Sequence, residues 1–164
     1  MILCHIKYNF PDISDDFGEH TSLMIIREPT ERIISHYEYF IRKKNNIPLN
    51  DLSTDQLHKF CSREDIRDTM TDYLSHSKSE TEAIEVANEI NFLDDIQNIN
   101  YLFDKIKKHY ERRNRIFANK LTVPVMNKSK RMFEHNSEIY DKIKEMTYDS
   151  KDNAVYNHIK TYLI

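Results

Sequence analysis

The sequence predicts an α/β fold: a small parallel sheet flanked by helices, helix-rich overall, in a single domain covering residues 1–164. Three observations lead there. One Gly and four Pro in 164 residues are too few turn formers for a sandwich or barrel. Ser22-Leu23-Met24-Ile25-Ile26 is an unbroken apolar run of strand length, and the absence of alternation points to a strand covered on both faces, as in a parallel sheet. The run ends at Arg27-Glu28-Pro29, and Pro at the first helical position opens the next element.

The elements follow in order. Residues 1–10 have the character of a short extended segment, and residues 11–20 of a loop carrying Pro11 and the only glycine, Gly18. From Pro29, the spacing of Ile33, Ile34, Tyr37, Phe40 and Ile41 predicts a helix to about Lys44. Ser53-Thr54-Asp55-Gln56, close to a capping box, starts a short helix inside a polar connection over 45–62. Residues 63–75 read as helical. Ala83, Val86, Ala87, Ile90 and Leu93 line one face of a helix over 79–93, and Leu102, Phe103, Ile106 and Tyr110 line another over 99–114. Leu121 to Val125 has the composition of a short strand, and two last helices fit Ser137–Met146 and Asp152–Tyr162.

Charge and cysteine content exclude several classes. Net charge is −3, so the chain is no bulk polycation for nucleic acid. The charge is uneven, however. Asn45 to Asp104 holds 13 acids and four bases, whereas Lys105 to Arg131 holds ten bases and one acid. The basic stretch is either a solvated helix face or a surface for an anionic ligand. No apolar run approaches the roughly 18 residues of a membrane span, and the apolar start is cut short by His5 and Lys7. Two cysteines, Cys4 and Cys61, make no disulfide framework and have no metal-site spacing, so a reducing, cytoplasmic setting is expected, with no metal.

The most specific string is Arg27-Glu28-Pro29-Thr30-Glu31-Arg32-Ile33-Ile34-Ser35-His36-Tyr37. A buried strand delivers Arg27 to the carboxyl edge of the sheet, where open α/β sheets bind ligands. The planar guanidinium matches phosphate oxygens bidentately. Ser35 lies eight residues on, one turn past Arg32, and its hydroxyl offers a second donor to the same anion. The plainer alternative is Arg27 in a salt bridge with Glu28 or Glu31, and Ser35 bonded to its own helix. Tyr37, Tyr39 and Phe40 form either core or an aromatic wall for a sugar. Arg42, Lys43 and Lys44 suit the helix C-terminus through its dipole. His36 is expected to face solvent or pack on Tyr39.

The string resembles the 3′-phosphate-binding motif of carbohydrate sulfotransferases, Arg-Asp/Glu-Pro-x-x-Arg-x-x-Ser-x-Tyr, present here as Arg27-Glu28-Pro29, Arg32, Ser35 and Tyr37. Weaker likenesses follow the same order along the chain. Leu3 to Tyr8 resembles the segment carrying a catalytic His in the uronyl 2-O branch. Asp68 to Ser75 is similar to an Asn-x-Met-Thr-Arg-x-Leu-Ser segment. Ala87 to Ile96 resembles an Ala-Lys-x-Asn-Leu helix entering a strand, which would make Phe92 to Ile96 partly strand. Met126 to Arg131 resembles the late loop that closes over the nucleotide.

The resemblance implies transfer of a sulfuryl group from 3′-phosphoadenosine 5′-phosphosulfate to a carbohydrate hydroxyl. Arg27 and Ser35 would hold the 3′-phosphate, Ser129, Lys130 and Arg131 would close on the nucleotide, and His5 would be the general base, since imidazole titrates near neutrality. The family also begins with a strand and a Pro-Lys-x-Gly/Ala-Thr/Ser loop for the phosphosulfate. No such string stands in the sequence, and Gly18 lies in Phe17-Gly18-Glu19-His20. The expectation is therefore a P-loop-like sulfotransferase fold incomplete at its N-terminal edge and impaired alone: a truncated product, a remnant, or a split protein whose loop a complementing chain supplies. The competing expectation is a non-enzymatic protein binding a polyanion or nucleic acid through Lys105 to Arg131. The absence of a groove-reading motif argues against nucleic acid.

Overall fold

The computed structural model describes residues 21–44, 54–123 and 138–163. Strand β1 (Leu23–Ile26) leads into helix α1 (Pro29–Lys44). Then come α2 (Thr54–Cys61), α3 (Glu64–Arg67), α4 (Thr69–Leu74) and α5 (Glu80–Glu89). Strand β2 (Phe92–Asp95) passes through a 3₁₀ turn (Ile96–Asn98) into α6 (Ile99–Glu111), followed by α7 (Arg115–Lys120), α8 (Glu138–Thr147) and α9 (Lys151–Tyr162). The chain is thus helix-rich with, among the described residues, a two-stranded parallel sheet.

The ladder pairs Leu23 with Phe92 and ends with Ile26 opposite Asp95. A side-chain clasp sets this register. Asn91 Oδ1 accepts from Ser22 N–H at 2.9 Å and from the Ser22 hydroxyl at 3.0 Å, and Asn91 N–H returns a bond to Ser22 Oγ at 2.9 Å. The apolar spacing of Ile90 and Leu93 alone carries α5 too far. The helix stops at Glu89, Ile90 N–H bonds back to Ala87 C=O, and the next residues pair with β1 instead. Tertiary pairing overrides helical periodicity there, and the strand falls where the resemblance implied one. β1 is covered unevenly rather than on both faces: Ile26 is buried, but Ile25 is 36% exposed.

Two apolar clusters flank α1. One joins Ile33, Ile34 and Tyr37 to Leu57, Phe60, Cys61, Ile66 and Ile143. The other joins Ile26 to Met70, Leu74, Ala83, Ala87, Val155, Tyr156 and Ile159. Fully burying each Ile or Leu side chain contributes about 1.5–3 kcal/mol, so these clusters hold α8 and α9 against β1, α1 and the helices between them and β2.

The helical stretch expected over 63–75 breaks at Asp68 into α3 and α4. The cause is an ion pair inserted at the break. Arg32 Nη2 donates to the carbonyls of Ile66 (2.7 Å) and Arg67 (3.2 Å) at the end of α3, and to Asp152 Oδ2 (3.0 Å). Asp152 in turn accepts from the N–H groups of Met70 (2.8 Å) and Thr71 (2.7 Å) at the start of α4. A cation meets orphan carbonyls and an anion meets orphan N–H groups. The predicted single helix over 99–114 also ends earlier, at Glu111, because Asn114 starts α7 by accepting from Phe117 N–H at 3.0 Å. Leu121 to Val123 form no strand, and Pro124 and Val125 lie outside the described residues.

Candidate functional site

The site begins where β1 ends. Arg27 leaves the strand's carboxyl end, and Pro29 is buried as the first residue of α1. Glu28 caps that helix: its Oε2 accepts from Glu31 N–H at 2.7 Å, and its carbonyl accepts from Arg32 N–H at 2.9 Å. A carboxylate there also complements the helix dipole. Arg27 Nη2 donates to Glu31 Oε2 at 3.3 Å, four residues on, which is the plainer pairing the sequence left open. That contact engages one of five guanidinium N–H donors. Ser35 follows after four more residues. It is half-buried, and its hydroxyl has no hydrogen-bond partner among the described residues. Arg27, Glu31 and Ser35 therefore succeed one another at intervals of about one turn, about 6 Å apart along the axis once within the helix. Thr30, in the same first turn, is buried with an unpartnered hydroxyl.

The second arginine of the motif does something else. Arg32 is spent on the α3–α4 junction, donating also to Thr69 Oγ1 at 2.8 Å. Burial lowers its pKa, opposed chiefly by the nearby Asp152. Asp152 has no exposed side-chain surface. Burial pushes its carboxyl upward, while Arg32 and the N–H groups of Met70 and Thr71 pull it back.

β2 brings two buried carboxylates to the same edge. Asp94 Oδ1 accepts from Asp95 N–H (2.8 Å) and Asn98 Nδ2 (2.9 Å). Asp95 caps the 3₁₀ turn through Gln97 N–H (2.9 Å) and accepts from the Tyr156 hydroxyl at 2.5 Å. The Tyr156 phenol is raised by burial and by that bond to Asp95. Among the described residues no group of three or more His, Cys, Asp or Glu is placed to hold a metal ion. The edge thus offers one guanidinium, one half-buried hydroxyl and a set of carboxylates already engaged by internal donors.

His5, Ser129, Lys130 and Arg131 lie outside the described residues. The structure therefore places Arg27 and Ser35 on one strand–turn–helix unit and is silent on their suggested companions. The aromatic stripe divides. Tyr37 is buried, Phe40 packs against the same cluster, and Tyr39 is 55% exposed. His36 is exposed, the first of the two expected arrangements, and meets Phe60 edge-on at 5.8 Å. Partial loss of solvent around the ring, and then the charges of Arg32 and Arg63, lower its pKa. Cys61 is buried, which pushes its thiol up to about 11 and keeps it from acting as a thiolate nucleophile.

The junction of Arg32 with Asp152 and the bond of Tyr156 to Asp95 carried no sequence signal. Asp152 reads as an ordinary acid in a first helical turn, and nothing local links it to a residue 120 positions away. The basic stretch runs along α6 and α7, where seven bases and one acid stand between Lys105 and Val123. Lys105 sits 4.4 Å from the Tyr101 ring centre, and Lys108, Arg112, Arg113, Arg115 and Lys120 are exposed.

Comparisons of the chain with protein-family models, with curated proteins and with solved structures find no match.

Proposed function

We propose that the chain is a sulfotransferase domain of P-loop-like fold that transfers a sulfuryl group from 3′-phosphoadenosine 5′-phosphosulfate to a carbohydrate hydroxyl. One observation carries the reading. Strand β1 and the motif Arg27 to Tyr37 form a parallel strand, a sharp proline turn and a helix, with Arg27 just past the strand's carboxyl end and the Ser35 hydroxyl, two turns on, unpartnered among the described residues. In this reading Glu31 orients the Arg27 guanidinium, and its remaining N–H donors, with Ser35, take the nucleotide's 3′-phosphate. The edge holds several carboxylates, so further cationic donors are required; Lys130 and Arg131 supply them, and Ser129 adds a neutral hydroxyl. His5 removes the acceptor's proton as the hydroxyl attacks sulfur in line, and the adenosine bisphosphate leaves.

Donors for the phosphosulfate come from a strand–loop unit carrying a Pro-Lys-x-Gly/Ala-Thr/Ser string, which is not among these 164 residues. A missing preorganised donor typically costs ~10²–10³ in rate. Transfer of labelled sulfate to carbohydrate acceptors is therefore expected to be barely detectable with this chain alone, to rise when a strand–loop unit is fused or added, and to fall back in His5→Ala. Failure of any such unit to raise the rate contradicts the reading.

A further inference from the structure

We propose that the turn between α6 and α7 is a docking tip for an anionic lipid bilayer surface. The proposal stands apart from the sulfotransferase reading and rests on four features of the tip. Every residue from Glu111 to Ile116 is exposed. Three of those six are Arg112, Arg113 and Arg115, and among the described residues none of the three has an ion-pair partner. Lys105 and Lys108 of α6 and Arg112, which follows as its C-cap in helical conformation, stand at i, i+3 and i+7, so a line of cations leads up to the tip. Ile116 is 73% exposed, whereas the only other exposed large aliphatic side chain among the described residues, Ile25, is 36% exposed.

The tip is also rigidly seated. Phe117 stacks edge-on against Tyr110 at 5.0 Å, Tyr110 against His109 at 5.1 Å, and His109 against Phe92 of β2 at 5.4 Å. Asn114 caps α7 through Phe117 N–H. A projecting aliphatic side chain on a fixed, cationic turn suits one kind of partner. The bases gain from anionic headgroups within a Debye length of ~8 Å, while Ile116 reaches the boundary with the acyl chains. The acidic remainder of a chain of net charge −3 turns the opposite surfaces away from the same bilayer.

Two other occupants fit less well. Nucleic acid has no use for Ile116, and the sequence carries no groove-reading motif. A second copy would offer the exposed Glu80, Glu85 and Glu89 of α5 as counter-charges. Exposed ion pairs are too weak individually to offset the cost of association.

The experiment is co-sedimentation of the full chain with vesicles of phosphatidylcholine, with and without phosphatidylserine, and with duplex DNA as competitor. Binding is expected only to the phosphatidylserine vesicles and disappears as salt rises. Arg112→Ala and Arg115→Ala each weaken it about 5-fold, and Ile116→Ser weakens it roughly 10-fold. All three side chains are exposed, so an unchanged thermal midpoint shows that each variant is folded. No binding to phosphatidylserine vesicles overturns the proposal. So does binding that is indifferent to Ile116→Ser and displaced by duplex DNA, which would mark a general polyanion surface.

Discussion

Arg27 and Arg32 are five residues apart in one motif, yet they have opposite fates. Arg27 keeps 28% of its side chain exposed and holds one carboxylate at 3.3 Å. Arg32 is inserted between two helix ends and pairs with a carboxylate of no exposed surface. An exposed pair contributes about 0–1 kcal/mol, whereas breaking a buried pair by removing one partner costs about 3–5 kcal/mol. Asp152→Asn is therefore expected to lower unfolding free energy by ~3–5 kcal/mol in urea titrations. A loss below about 1 kcal/mol would show that Arg32 is satisfied by the Ile66 and Arg67 carbonyls alone. At this scale the sequence announces Arg27 and Ser35, because an arginine after an apolar run and a serine at helical spacing are local features. It conceals Asp152, whose partner is set by packing across 120 residues.

Among the elements, the turn from α4 to α5 shows most clearly how local chemistry shapes the chain. Glu82 accepts from the hydroxyls of Ser75 (2.6 Å) and Ser77 (2.5 Å) and from the N–H groups of Ser77 (3.0 Å) and His76 (3.2 Å). The Ser75 and Ser77 hydroxyls, followed by the Ser77 N–H, lower its pKa to about 2 from 4.5. A depressed carboxylate stabilises the fold above its unfolded value and loses that contribution as pH falls through the folded one. The clasp is thus intact above pH ~4.5 and opens toward pH 2. The amide resonances of His76 and Ser77 are expected to titrate with a midpoint near 2, and a midpoint near 4.5 would mean that the clasp is not formed. Strand β1 and helix α1 were legible in the sequence because an apolar run and a proline fix both ends. The split at Asp68 was not, since it depends on the distant Arg32; β2 was legible through the family resemblance but not through periodicity, because its entry is held by the distant Ser22.

Across the molecule, α1 is the hinge between structure and proposed chemistry. One side of it buries Ile33, Ile34 and Tyr37 in an apolar cluster, Arg32 ties it to α3, α4 and α9, and its N-terminus begins at the carboxyl edge of the parallel pair. The α/β class was readable from glycine scarcity and one apolar run. The placement of α8 and α9 was not, since amphipathic helices show which face is buried and not what covers it. The same architecture separates two consequences that a single motif would otherwise confound. Loss of Arg32 or Asp152 is expected to disturb folding, whereas loss of the partly exposed Arg27 is expected to leave folding nearly intact and to remove only the proposed grip on an anion. Calorimetric titration of adenosine 3′,5′-bisphosphate into the wild-type chain and Arg27→Ala tests that grip most directly. Charge-assisted hydrogen bonds are worth ~1.5–3 kcal/mol each, so the expected result is binding at least ~10-fold weaker in Arg27→Ala, with a thermal midpoint close to wild type. Equal affinity in the two proteins, or no binding by wild type, would contradict the account.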